Sequence, residues 1–238
     1  MCGRFTLTTP AQAIAEAFGV APPADLAPRY NIAPGQDVLA VRERRDGGRE
    51  LATLRWGLVP WWSKELPRAV TMINARADTA PERPAFRDAF RRHRCLIPAS
   101  GFYEWQPSPG GRGGPKQPYL IGLHGGAPFA FAGLWDRWRP PAPDEPPVES
   151  CAIVTTDANP LVHPIHDRMP VILPVDAWPT WLDRRVEDVE RLKALLRPYP
   201  AGEIELHPVS PWVNDARHDD ARCIEPVARF EAPKTLFD

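Results

Sequence analysis

Cys2 follows the initiator methionine directly, in Met1-Cys2-Gly3-Arg4-Phe5, and that position gives it chemistry an internal cysteine lacks. Methionine aminopeptidase removes Met1 when the second residue is small, so the expected mature chain begins with a cysteine bearing a free amine and a thiol on adjacent carbons. An aldehyde condenses with such an amine, and the thiol then closes a thiazolidine ring. The unperturbed amine titrates near ~7.7–8.0 and the thiol near ~8.5, so both hold some nucleophilic fraction at neutral pH. The expectation is an exposed 1,2-aminothiol. A small residue opening a strand is the structural alternative, and position by itself leaves both open.

Four further segments combine polar residues with turn chemistry that core packing does not require. In Arg29-Tyr30-Asn31-Ile32-Ala33-Pro34-Gly35-Gln36 the Pro-Gly pair favours a tight turn, and Asn31 can bond its own backbone or a ligand. Trp56-Gly57-Leu58-Val59-Pro60-Trp61-Trp62 places three tryptophans where one strand face cannot bury them all. Exposed aromatics beside arginine stack unpaired bases, while a Trp-rich edge of the core is the alternative. In Met72-Ile73-Asn74-Ala75-Arg76-Ala77-Asp78, Asn74 and Arg76 share one face of a strand. The arginine there can hold a phosphate or simply pair with Asp78. The fourth is Gly101-Phe102-Tyr103-Glu104-Trp105, where desolvation between aromatics raises a carboxyl pKa toward the range useful for proton transfer. Its complement is His166-Asp167-Arg168-Met169-Pro170, whose histidine is the natural neutral-pH acid or base.

The elements that must position these groups can be read from punctuation and periodicity. Thr9-Pro10 ahead of residues 11–18 and Gly19 after them give an N-cap, a proline at the first turn and a glycine stop, hence a short helix. Residues 38–44 and 50–56 flank Asp46-Gly47-Gly48 as a hairpin. A second helix is expected over 82–92 and an amphipathic one over 186–196. Strands are expected at 94–98, 101–106, 117–124, 129–138, 150–156, 171–174 and 203–207, with loops at 107–116 and 139–148. Strands outnumber helices, and βαβ alternation is absent. The pattern predicts one α+β domain with a mixed, partly barrel-like sheet flanked by short helices.

Composition sets the bounds. At 238 residues, 43% hydrophobic and 25% charged, the chain has the make-up of a soluble globular domain. Its 31 prolines largely punctuate apolar runs, as in Val59-Pro60, Ile97-Pro98 and Met169-Pro170. Residues 1–119 carry 17 Lys+Arg against 11 Asp+Glu, a net of +6, and the remainder carries −7. A basic front half suits a polyanion, though asymmetric surfaces without such a partner are common. The four cysteines form no CxxC pair and no zinc-ligand spacing, so no metal or organic cofactor is expected, and Cys95 and Cys151 are read as buried thiols. A free reactive cysteine, the absence of a signal-like start and the lack of a long apolar run predict a cytoplasmic protein, nucleoid-associated when on DNA.

MCGRF, RYNIAPGQ, WGLVPWW, INARAD, CLIPASGFYEW and IHDRMPVIL, in this order, resemble the motif series of the SOS response-associated peptidase (SRAP) family, whose members crosslink to abasic sites in single-stranded DNA. The loops at 107–116 and 139–148 depart from the pattern without touching a motif, and Asp78 stands where the family often has Glu. The resemblance implies an SRAP-like catalytic domain over 2–226 with a tail at 227–238. It implies Cys2 as nucleophile, with Asn74, Glu104 and His166 completing the catalytic group. Arg4, Asn31, Trp61, Trp62, Arg76 and Arg168 would contact single-stranded DNA carrying an abasic site. A monomer is expected. Two other readings stay open: an N-terminal-nucleophile peptidase or amidohydrolase, and a non-catalytic single-strand binder.

Overall fold

The computed structural model describes residues 2–44, 46–107, 116–142 and 144–228. Its strands run in chain order as β1 (Phe5–Leu7), β2 (Arg29–Ile32), β3 (Asp37–Glu43), β4 (Arg49–Trp56), β5 (Asn74–Arg76), β6 (Arg94–Ala99), β7 (Gly101–Gln106), β8 (Gln117–Leu123), β9 (Phe129–Trp138), β10 (Val148–Asp157), β11 (Arg168–Pro170), β12 (Ile172–Leu173) and β13 (Ile204–Pro208). Four short helices accompany them: α1 (Ala11–Phe18), α2 (Arg87–Arg92), α3 (Trp178–Leu182) and α4 (Val189–Lys193). The class is α+β, as expected from the punctuation.

Two sheets form. The smaller has the order β13-β8-β7-β1-β2. The larger runs β11-β10-β4-β3-β6-β9-β12, and β9 also pairs with β10, so β10, β4, β3, β6 and β9 close into a ring. Its mixed character comes from β10, which is parallel to β4 and β5 and antiparallel to β9 and β11. Phe5 on β1 joins the sheets, meeting Trp56 of β4 edge-on at 5.3 Å and Phe131 of β9 at 5.6 Å between ring centroids. Burying one such ring contributes about 2–3 kcal/mol. The first ordered strand is therefore held in the middle of the molecule.

Several local expectations needed revision. The helix expected over 82–92 is α2 alone, because Pro84 has no N–H and disfavours helical geometry at Arg83, leaving turns upstream. The amphipathic helix expected over 186–196 is only α4, opened by Asp188, whose carboxylate accepts from the N–H groups of Glu190 and Arg191 at 3.0 and 3.1 Å. α1 stops at Gly19 in the left-handed region (φ 65°), but the Thr9 hydroxyl bonds Ser100 Oγ at 2.9 Å instead of capping the helix. The hairpin is β3 and β4, paired from Asp37↔Arg55 to Glu43↔Arg49. Residues 108–115 of the expected loop, and 229–238 of the expected tail, lie outside the described residues.

Arg94 is a buried cation that ties α2, β6 and α3 together. Its guanidinium donates to the carbonyls of Phe90 (2.8 Å), Arg91, Trp181 (2.5 Å), Asp183 (2.6 Å) and Val186 (3.0 Å). Burial lowers its pKa to about 10, which leaves it charged at neutral pH. Five backbone acceptors would lose a charged donor without it, and hydrogen bonds to charged groups carry ~1.5–3 kcal/mol each. Arg94→Met is expected to lower unfolding free energy by about 3 kcal/mol or more, measured as the midpoint shift in urea.

Candidate active site at the head of the chain

β1 lies between β2 and β7, with Phe5 opposite both Ile32 and Phe102. Tyr103 N–H extends that pairing to the Arg4 carbonyl at 3.0 Å. The register carries Cys2 alongside the far half of β7, where Glu104 sits. From the other side comes β5, held in parallel register on β10 by Ile153↔Asn74 and Thr155↔Arg76. Asn74 Nδ2 donates to the Cys2 carbonyl at 2.9 Å. Asn74 Oδ1 is buried and has no hydrogen-bond partner among the described residues.

Cys2 itself overturns one expectation. Its side chain is 0% exposed and belongs to the hydrophobic core. Desolvation, followed by the nearby negative charge of Glu104, pushes the thiol pKa well up, so it is a protonated thiol at neutral pH. The thiol expected at the surface is an enclosed one in the chain that retains Met1, where the Cys2 nitrogen is still an amide. The reason is the central placement of β1, which leaves Cys2, three residues ahead of Phe5, packed into the core.

Glu104 is nearly as deeply enclosed, and burial lifts its carboxyl to about 7. Its strand neighbours Tyr103 and Trp105 point to the opposite face, where Tyr103 joins a second small core with Val209, Val213 and Cys223. The loop bearing His166 leaves β10 and returns as β11. Asn159 shapes it by accepting from the N–H groups of Leu161 and Val162 at 3.1 and 2.9 Å, and Gln106 Nε2 fastens it to the end of β7 through the Pro164 carbonyl at 3.2 Å. Burial lowers the His166 pKa, favouring the neutral ring. In that form Nδ1 accepts from Arg168 N–H at 2.9 Å and the proton resides on Nε2. The same Nδ1 already lies 2.8 Å from Asp167 Oδ1, a contact that a proton on Nδ1 would make a hydrogen bond. Cys2, Asn74 and Glu104 are thus brought together by three separate segments, and the loop bearing His166 is fastened to the end of the strand that carries Glu104.

The candidate DNA contacts divide. Trp61 and Trp62 are 59% and 49% exposed, whereas Trp56 is buried with its indole N–H on the Ile73 carbonyl at 2.9 Å. Asp136 anchors their loop by accepting from Trp61 N–H at 2.8 Å, a role with no signal in the sequence. Arg76 is exposed and paired with Asp78 at 3.2 Å. Arg168 is mostly buried, held by Asp157 at 3.1 Å and the Thr155 carbonyl at 2.8 Å. Both arginines line a cavity of about 630 Å³ with Asp157, Ala158, His163 and Asp167.

Asn31 lies in the interior, not on the surface where it was expected, while Arg4 is tied to the same place and stays partly exposed. Asn31 is 0% exposed, and its Nδ2 donates to the carbonyls of Val213, Asp215 and His218 at 3.1, 3.0 and 2.8 Å. Arg4 donates to Asn31 Oδ1 (2.8 Å), the Val213 carbonyl (2.9 Å) and the Asn214 carbonyl (3.2 Å). Both bond a segment near residue 215 that sequence reasoning left unassigned.

A buried cysteine at the chain head, facing an amide and a carboxyl from two sheets, defines the class of site, and the comparisons give the family. The family model for "SOS response associated peptidase (SRAP)" matches residues 1–216, and the chain belongs to that family. Abasic site processing protein YoqW of Bacillus subtilis is 41% identical over 230 residues, covering 94% of this chain and 99% of that protein. Abasic site processing protein YedK of Escherichia coli is 32% identical over 235 residues, covering 95% and 100%. A crystal structure of a Bacteroides thetaiotaomicron protein superposes with a TM-score of 0.83 at 25% identity, covering 95% of this chain and all of that one. No helix among the described residues is long and apolar enough to cross a membrane.

A buried carboxyl with a raised pKa costs stability once it ionises. The folded state binds the Glu104 proton up to about pH 7, while the unfolded chain releases it near 4.5. Stability attributable to this group is therefore present below about pH 4.5 and lost as pH rises through about 7. Glu104→Gln is expected to melt higher than the wild type at pH 8 and to converge with it below pH 5, by calorimetry across that range.

Proposed function

We propose that the mature protein, once Met1 is removed, traps the ring-opened sugar of an abasic site in single-stranded DNA as a thiazolidine on Cys2. The carrying observation is the 2.9 Å hydrogen bond from Asn74 Nδ2 to the Cys2 carbonyl beside the enclosed Glu104. An anchored carbonyl fixes the amine and thiol of the same residue relative to an incoming aldehyde, which is the positional part of catalysis. The names of the relatives, abasic site processing proteins, support the substrate class.

The order of steps follows from the electrostatics. The Cys2 ammonium gives a proton to Glu104, whose pKa of about 7 matches the task. The free amine adds to C1′ of the open-chain sugar, Glu104 returns the proton to the departing hydroxyl, and water leaves to give an iminium. The thiol is a poor nucleophile until then, because burial holds its proton in place. The iminium cation reverses that bias at short range, the thiol proton passes to Glu104, and sulfur adds to C1′ to close the ring. Aldehyde plus aminothiol thus yields thiazolidine plus water. Ring closure removes the iminium that would otherwise drive β-elimination and strand cleavage. In this scheme neutral His166, with its proton on Nε2, donates to the sugar oxygen during ring opening. Arg76 and Arg168 face the flanking phosphates from the cavity beside β5, and Trp61 and Trp62 stack unpaired bases.

A denaturing gel tests the scheme, using processed protein and an oligonucleotide with one abasic site. Wild type is expected to give a stable shifted band, Cys2→Ala none, and Cys2→Ser transient imine or strand cleavage without the stable band. A band that persists in Cys2→Ala would overturn it. Replacing Trp61 or Trp62 by alanine is expected to weaken binding to undamaged single strands by about 1–3 kcal/mol per lost stack while hardly moving the melting temperature. Fluorescence anisotropy and thermal melts check the two halves of that expectation.

A further inference from the structure

We infer that Asn31 and Asp219 are positioning residues for the chemistry at Cys2, acting through a C-terminal clasp that holds Arg4 and β7 in place. This rests on the function proposed above and reassigns Asn31 from the DNA surface to the interior.

The clasp is the stretch from Ser210 to Cys223, which crosses the outer face of the smaller sheet. Asp219 docks it from one end: its carboxylate accepts from the N–H groups of Tyr30 and Asn31, the latter at 2.9 Å, and from Arg29 Nε at 2.7 Å. Asn31 docks the middle through its three carbonyl contacts, and its Oδ1 orients Arg4 at 2.8 Å. Arg4 lies two residues from Cys2, and its guanidinium finishes on the Val213 and Asn214 carbonyls. The same clasp grips both neighbours of Glu104. Trp105 Nε1 donates to Asn214 Oδ1 at 2.7 Å, and Tyr103 OH donates to the Tyr30 carbonyl at 2.7 Å, with the Cys223 carbonyl 3.3 Å away. Cys2 and Glu104 are therefore referenced to one frame, Cys2 through Arg4 and Glu104 through Tyr103 and Trp105. Removing the Asn31 amide takes the Oδ1 acceptor from Arg4, withdraws a donor from the Val213, Asp215 and His218 carbonyls, of which Val213 keeps only Arg4, and lets the head of the chain shift relative to β7.

The test compares wild type with Asn31→Ala and with the volume-conserving Asn31→Asp, which keeps the oxygen facing Arg4 but sets a second oxygen against the three carbonyls. Three quantities are read: the single-turnover rate of the gel-stable adduct, the affinity for an undamaged oligonucleotide of the same length, and the Glu104 carboxyl titration by carbon NMR. Both variants are expected to slow adduct formation on the order of ten- to a hundredfold, as ångström-scale misplacement does. Affinity for undamaged DNA should stay within about twofold, and the Glu104 titration should move down toward the ordinary carboxyl range as water reaches β7. A wild-type rate in both variants overturns the inference, as does a loss of undamaged-DNA affinity that parallels the rate, which would make Asn31 a DNA contact. Should Asn31→Ala fail to fold, Asn31→Asp carries the comparison. If wild type itself forms no adduct, the proposed function fails, and an unchanged Glu104 titration in the variants then separately overturns the positioning claim.

Discussion

The pairing of β1 between β2 and β7 is the constraint on which the rest depends. Chain termini are ordinarily the least ordered parts of a domain. Here Phe5 is locked between both sheets by edge-on contacts with Trp56 and Phe131, so the residues before it cannot drift. Cys2 is consequently enclosed, its carbonyl meets Asn74, and Glu104 arrives from the adjacent strand by register alone. Each feature of the site follows from that one strand being internal.

Enclosure also sets the protonation states. The same desolvation that raises the Glu104 carboxyl to about 7 pushes the Cys2 thiol up and the His166 ring down. All three groups are thereby biased toward neutrality, so none opposes the approach of an uncharged sugar. Charge is placed farther out, on Arg76 and Arg168, and each is already matched by aspartates. A phosphate at that cavity has to compete with Asp78 and Asp157 for the two guanidinium groups, and such exchange favours geometry over raw charge.

Legibility in the sequence tracked how local each signal was. The hairpin, α1 and most strands followed from punctuation, because turns and caps are settled within a few residues. The raised carboxyl at Glu104 was expected from Tyr103 and Trp105 beside it, but those rings point to the opposite face of β7, and the desolvation comes from the enclosure of the face that Glu104 itself occupies. The division of the tryptophans could not be anticipated, since Trp56 is buried by the register of β4 on β10, which no single stretch encodes. Asn31 was misjudged for the same reason: its partners lie far along the chain, in a segment without any recognisable motif. The enclosure of Cys2 has no local signal, because it comes from the packing of Phe5 against Trp56 and Phe131, residues far along the chain. α2 and α4 came out short because Pro84 and the Asp188 cap act at single residues inside otherwise helical patterns.

The enclosure of Cys2 has a practical side for anyone handling the protein. A purification tag or fusion partner placed ahead of Met1 would keep the Cys2 nitrogen as a permanent amide, at a residue that the fold encloses. Such a product would be blocked for the chemistry proposed at that residue. Epitopes, fluorophores and immobilisation chemistry belong at the opposite terminus, and recombinant material should be checked for complete initiator removal before any activity is scored.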